Sequence, residues 1–215
     1  MQVVSVNVSM GRTVTWRGHE VRTGIFKEPV AGRLMVRSTG VDGDRQADRS
    51  VHGGEFKAVY AYSADHYPWW AQELGRELSF GMFGENLTIA GFDENDVGIG
   101  DRFAIGNAVL EAVQPRLPCY KLGVRFNDPQ MTKRFAKSGR CGVYFRVIED
   151  GDVGTGDTVV RTYTEPVRVP VPALAALIDP AASDPALARR ALVLPALTPD
   201  WRDFLSEMAA EPASA

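Results

Sequence analysis

Residues 2–8 read Gln2-Val3-Val4-Ser5-Val6-Asn7-Val8. Valines at 4, 6 and 8 alternate with polar residues at 5 and 7, a period of two that suits a half-buried strand. Arg12–Trp16, Val21–Phe26 and Arg33–Arg37 are further short β-like runs. No helical periodicity intervenes, so the first forty residues predict an all-β opening and a mainly β fold. At 215 residues the chain can form one sizeable domain and a small appendage.

Farther along, 57–62 predicts a strand. Ser63 predicts the cap of a helix running to about Leu74, with Asp65 in its first turn. Trp69, Trp70 and Leu74 are expected to pack inward, with His66 structural beside them. Strands are expected over 86–90, 108–113 and 141–148. Asp128 reads as a helix N-cap with Pro129 at the first helical position. That helix should run to about Lys137, bury Met131 and Phe135 four residues apart, and stop at Gly139. Val97-Gly98-Ile99-Gly100-Asp101 and Val153-Gly154-Thr155-Gly156-Asp157 read as one turn used twice. Neither is a dinucleotide fingerprint, because no helix follows. After Thr164, Pro166, Pro170 and Pro172 form a linker-like patch before three helical patterns at 172–178, 184–194 and 198–210. The expected division is residues 1–165 and residues 166–215.

Composition narrows the class. Hydrophobic residues make up 45% and charged residues 24%, ordinary for a soluble globular protein. No run of about 18 apolar residues offers a membrane span. The N-terminus lacks a secretory pattern, which points to the cytoplasm and reduced thiols. A pI near 5.7 argues against a nucleic-acid partner.

The chemistry concentrates in Gln114-Pro115-Arg116-Leu117-Pro118-Cys119-Tyr120-Lys121, which holds one of two cysteines. Two prolines stiffen the approach to Cys119, and basic side chains flank it at 116 and 121. Cations favour a thiolate, the form that attacks electrophiles and binds soft metals. Between residues 115 and 147 stand eight basic residues and one acid, against a net charge of −3 for the whole chain. Such an island suggests a discrete anionic ligand. A free cysteine is commonly a buried small hydrophobe, which is the expected fate of Cys141 at a strand start. Two polar, glycine-punctuated loops complete the candidate set. Gly40-Val41-Asp42-Gly43-Asp44-Arg45 leads on to Val51-His52-Gly53-Gly54, and Gly84-Glu85-Asn86 opens a strand. His52 and the bare backbone after it can meet one ligand, and Glu85-Asn86 can read the edge of a heterocycle.

These motifs, with Phe83-Gly84-Glu85-Asn86-Leu87 and Gly100-Asp101, together resemble the MOSC family, in a branch with a three-helix C-terminal domain. The resemblance covers essentially the whole chain. It implies a MOSC-type β-barrel with short flanking helices that binds molybdenum cofactor (Mo-molybdopterin). Cys119 would be the protein ligand to the metal and the catalytic residue. Arg116, Lys121 and Arg140, and then Arg45, His52 and Lys57, would meet the anionic cofactor. Glu85 and Asn86 would read its pterin edge, and Asp101 would buttress a basic neighbour. The implied activity is reduction of small N-hydroxylated compounds, of the hydroxylaminopurine type, with electrons from a separate donor protein. Two cysteines cannot build a Cys₄ iron–sulfur cluster. Two rival readings stand beside this one: a non-redox sulfur or cofactor carrier using a Cys119 persulfide, and a cysteine nucleophile paired with His52.

Overall fold

A computed structural model describes residues 1–45 and 54–210. The strands are β1 (Gln2–Val8), β2 (Arg12–Trp16), β3 (His19–Thr23), β4 (Glu28–Pro29), β5 (Arg33–Arg37), β6 (Gly40–Val41) and β7 (Val59–Ser63). They continue as β8 (Leu87–Ala90), β9 (Arg102–Ile105), β10 (Ala108–Pro115), β11 (Val143–Glu149), β12 (Gly151–Gly154) and β13 (Val159–Tyr163). The α-helices are α1 (Tyr67–Leu74), α2 (Tyr120–Phe126), α3 (Met131–Ser138), α4 (Val171–Ala176), α5 (Pro185–Leu192) and α6 (Pro199–Ala210).

The expected closed barrel does not form among the described residues, and the fold is mixed α/β. Its main sheet is open, with eight strands in the order β13-β9-β10-β11-β7-β8-β1-β4. The two ends approach one another only through the single bridge Gln2–Thr158 and a few backbone hydrogen bonds, such as Val3 N–H to Asp157 O at 2.9 Å. The physical reason lies in β1. Past Gln2 and Val3 the chain that precedes β13 leaves β1 and pairs instead as β12 with β5, while the far end of β1 pairs Asn7 and Val8 with Pro29 and Glu28 of β4. A three-stranded sheet, β12-β5-β6, and the hairpin β2-β3 complete the β structure.

Two cores form. One lines the sheet with Val3, Val6, Leu87, Ile89, Phe103, Leu110 and Phe145, and continues without a break into Val171, Leu174, Ala188, Trp201 and Leu205 of the C-terminal helices. The second is aromatic, with Tyr60, Tyr62, Tyr67, Trp70, Phe83, Phe126 and Phe135 packed beneath α1–α3. Full burial of a side chain such as Met131 or Phe135 stabilises by roughly 1.5–3 kcal/mol.

Local readings largely match. Ser63 caps a 3₁₀ turn at Ala64–His66 that leads into α1, and its Oγ accepts from Asp65 N–H. Trp70 is buried, while Trp69 and Leu74 are only partly so. His66 Nε2 lies 2.7 Å from Glu94 Oε1, a structural pairing. Asp128 caps a turn through Gln130 N–H at 2.8 Å, so α3 starts at Met131, two residues later than expected. Gly139 ends it in the left-handed region. The twin turns are alike in detail. Asp101 Oδ2 accepts from Gly98 N–H at 2.9 Å, and Asp157 Oδ2 accepts from Gly154 N–H at 2.8 Å. Gly100 at φ 93° and Gly156 at φ 95° hold the same backbone corner, one that a Cβ disfavours.

Candidate functional site

Strand β10 ends at Pro115 and hands the chain to Arg116, Leu117 and Pro118 before α2 begins. Cys119 is the N-cap of α2 and is half-buried. Its carbonyl is pinned twice, by Leu122 N–H at 2.9 Å and by Thr132 Oγ–H of α3 at 3.2 Å. The sulfur therefore stands on backbone braced by two helices.

A cleft of about 670 Å³, counting its open mouth, surrounds that position. Cys119, Arg116 and Lys121 line it from the cysteine segment, Arg45 from the first glycine loop, and Asn86 from the second. Lys27, Tyr60 and Tyr144 also line it, and the sequence reading missed all three as site residues. Lys27 follows a short apolar run, Ile25-Phe26, and no local pattern marks it. Lys27 is 8% exposed, and its ammonium pairs with Asp44. Burial lowers its pKa, and Asp44 opposes that shift.

Arg116 is 5% exposed, with its guanidinium 5.3 Å from the Tyr60 ring centroid and 5.2 Å from that of Phe135. Burial works against its charge, and its polar neighbours are the Tyr60 and Tyr144 hydroxyls and the Cys119 sulfur. Among the described residues its Nη1 is buried without a hydrogen-bond acceptor. An unmade bond of that kind costs about 1–3 kcal/mol, more for a charged group.

The remaining expected residues fall elsewhere or serve other ends. Arg140 does not line the cleft; its guanidinium lies 3.9 Å over the Trp69 ring and donates to Ser138 O. Glu85 is fully buried, accepting from Gly81 N–H, Phe83 N–H, Thr88 Oγ–H and the Tyr67 hydroxyl, so it fastens its own loop. Burial raises its pKa, while those donors pull the other way. Asn86 reaches the cleft wall, yet its amide is committed to Tyr60 N–H, Asn7 O and Asp44. Asp101 does buttress basic neighbours, Arg168 at 2.7 Å and Arg161 at 3.6 Å, at the joint to the C-terminal helices. Lys57 lines an adjoining groove. His52 lies outside the described residues.

The charge island also disperses. Arg146 donates to Glu111 at 2.6 Å, Arg134 lies 3.7 Å from Asp128, and Arg125 lies 5.0 Å from the Phe26 ring centroid. Lys133 and Lys137 are exposed. Of the eight, Arg116 and Lys121 line the cleft, and Lys27 and Arg45 join them from far upstream.

Residues 48–160 match the MOSC domain family. This chain belongs to the MOSC family. It is 44% identical over 154 residues to YflK of Bacillus subtilis, covering 72% of this chain and 70% of that one. It is 37% identical over 134 residues to YiiM of Escherichia coli, covering 61% and 60%. A 146-residue stretch is 40% identical to a Gibberella moniliformis protein named reductase, covering 66% of this chain and 26% of the fungal one. The crystal structure of YiiM from Geobacillus stearothermophilus superposes with a TM-score of 0.81 at 31% identity, covering 97% of this chain and 99% of that one. YiiM from Escherichia coli gives 0.72 at 25% identity, covering 96% and 92%.

Proposed function

We propose that the cleft holds the molybdenum cofactor and that the protein reduces N-hydroxylated compounds to amines, with electrons from a separate donor protein. MOSC domains are associated with that cofactor, and the fungal relative's name supports a redox role. The observation that carries the reading is the buried Nη1 of Arg116, without an acceptor among the described residues and in the same cleft wall as Cys119. An anionic ligand supplies the acceptor that this nitrogen lacks.

The donor set fits. Cys119 offers one soft sulfur, and no group of three His, Cys, Asp or Glu gathers elsewhere among the described residues. A lone thiolate suits a metal that arrives already chelated by sulfur of its own. Arg116, Lys121, Arg45 and Lys27 would hold the anionic pterin portion. When bound, the group supplies two-electron redox chemistry and oxygen removal.

The protein's own part is binding, orientation and proton supply. Converting R–NHOH to R–NH₂ and water consumes two electrons and two protons. Lys27, paired with Asp44 in the cleft wall, would serve as the proton source on the protein's side. Tyr60 and Tyr144 stay neutral, because burial raises both phenols.

The test is elemental analysis of protein made in a host that synthesises the cofactor. Near-stoichiometric molybdenum, lost together with its absorbance in Cys119→Ser, is the expected result. Metal-free protein carrying cyanide-releasable sulfur would instead establish the persulfide carrier.

A further inference from the structure

We propose that Arg12 and Arg125, gathered on the Phe26 ring beside the Cys119 cleft, form a second anion subsite that takes a phosphoryl group. Only the origin of that group rests on the reading of the cleft given above.

The two arginines come from distant segments and meet at one ring. The guanidinium of Arg12, on β2, lies 3.6 Å from the Phe26 ring centroid, and that of Arg125, on α2, lies 5.0 Å from it. Both adjoin the cleft. Arg12 stands across the hairpin from Thr23, and Thr23, Ile25 and Lys27 line the cleft wall. Arg125 follows the cleft-lining Lys121 by one helical turn, on the same face of α2. Its Nη2 donates to the Lys27 carbonyl at 3.3 Å, which holds the side chain against that wall.

Like charges at one ring repel, and nothing nearby neutralises them. No ion pair joins either guanidinium to a carboxylate among the described residues. Burial, with the Arg12 charge beside it, lowers the Arg125 pKa, while Glu28 and Glu85 oppose that shift from a distance. Arg125 Nε is buried without a hydrogen-bond acceptor among the described residues. A phosphoryl group brings about −1.5 to −2 charge and three acceptor oxygens, enough to meet two guanidinium forks at once. Two molecules can carry one to this rim: the cofactor, by its phosphate end, and a substrate that is itself a phosphomonoester.

Calorimetric titration of metal-free Arg116→Met protein with inorganic phosphate isolates the subsite from the buried arginine of the cleft. Binding is expected there. Adding Arg125→Gln, or Arg12→Gln at an exposed hairpin position that should leave the fold intact, is expected to weaken it ~10-fold or more. The same two substitutions, placed singly in cofactor-loaded wild type, separate the sources. Loss of molybdenum and of the phosphate released on denaturation assigns the subsite to the cofactor. Retention of both, with kcat/KM falling ~10-fold for hydroxylamino-purine riboside monophosphate and holding for the riboside, assigns it to the substrate. In molybdenum-containing protein, phosphate binding that neither measurement follows is adventitious and overturns the proposal. Absence of phosphate binding, or binding indifferent to both substitutions in folded protein, overturns it as well. If molybdenum is absent but phosphate binding follows the two arginines, the proposed activity falls and the subsite stands. If molybdenum is present and the arginines are indifferent, the reverse holds.

Discussion

The two cysteines occupy opposite surroundings, as their sequence contexts suggest. Cys141 is 7% exposed, and burial pushes its thiol up to about 12. Cys119 is half-buried in a wall with Arg116, Lys121 and Lys27. Iodoacetamide at mildly alkaline pH should therefore modify Cys119 alone in the native protein and both residues after unfolding, as peptide mass mapping would read. Native labelling of Cys141 first would contradict this placement. Arg116→Met keeps a side chain of similar length over Tyr60 and Phe135 but removes the charge. It should fold, and lose retained cofactor anion by about tenfold or more. Phosphate released from denatured protein measures that. The prominence of Arg116 and Cys119 was legible in the sequence, because prolines and charge single them out. Arg140 was not, since an arginine just past a helix can face a cleft or an indole, and only packing chooses Trp69. Lys27 gave no signal because its partner, Asp44, lies seventeen residues on.

At the scale of elements, turns carried the most reliable information. The two Gly-X-Gly-Asp corners repeat their carboxylate-to-amide bond because that bond is local and both glycines take positive φ. Helix α2 went unread. Its apolar residues Leu122, Val124 and Phe126 mimic a strand's alternation, while Gly123 weakens any helical pattern. It forms because Leu122 and Phe126, four residues apart, pack into the aromatic core beside Met131 and Phe135. Another element-level device sits beneath Lys27. A Cβ on Gly81 would stand 2.7 Å from the Lys27 carbonyl oxygen, and its φ is 85°. Gly81→Ala should cost roughly 1–3 kcal/mol in urea unfolding, through strain and the displaced Lys27 segment. It should also weaken anion retention. A stability loss with unchanged retention would mean that the Lys27 segment does not position the cleft.

For the whole molecule, long-range ion pairs tie distant segments of the sheet system together. Arg33 of β5 donates to Asp152 at 2.6 Å and to Asp157 at 2.7 Å. The guanidinium holds the Asp157 carboxyl below its ordinary 3.8. The stability this contributes is therefore complete above that value and lost as pH falls through the lower folded value. Arg33→Ala should unfold at lower urea than wild type near neutrality and converge with it at strongly acidic pH. A gap that widened in acid would refute the assignment. Asp101, fully buried between Arg168 and Arg161 and accepting from Gly98 and Glu165 N–H groups, fastens the C-terminal segment to the sheet. Asp101→Ala strands those partners and should cost about 3 kcal/mol. No described helix is long and apolar enough to cross a membrane.

Short-range physics made much of this protein readable from its sequence: strand alternation, helix stops, the twin corners, and a stiff loop carrying a cysteine between cations. Each depends on residues within a few positions of one another. Tertiary structure alone decided that the sheet stays open, because the chain before β13 leaves β1 after a single bridge and pairs as β12 with β5, a choice alternation cannot make. It also decided which cations face Cys119, since burial and pairing with acids far along the chain sort buried Lys27 and Arg116 from solvated Lys133 and Lys137. A charge count along the chain sums over those differences, and the site is built from them.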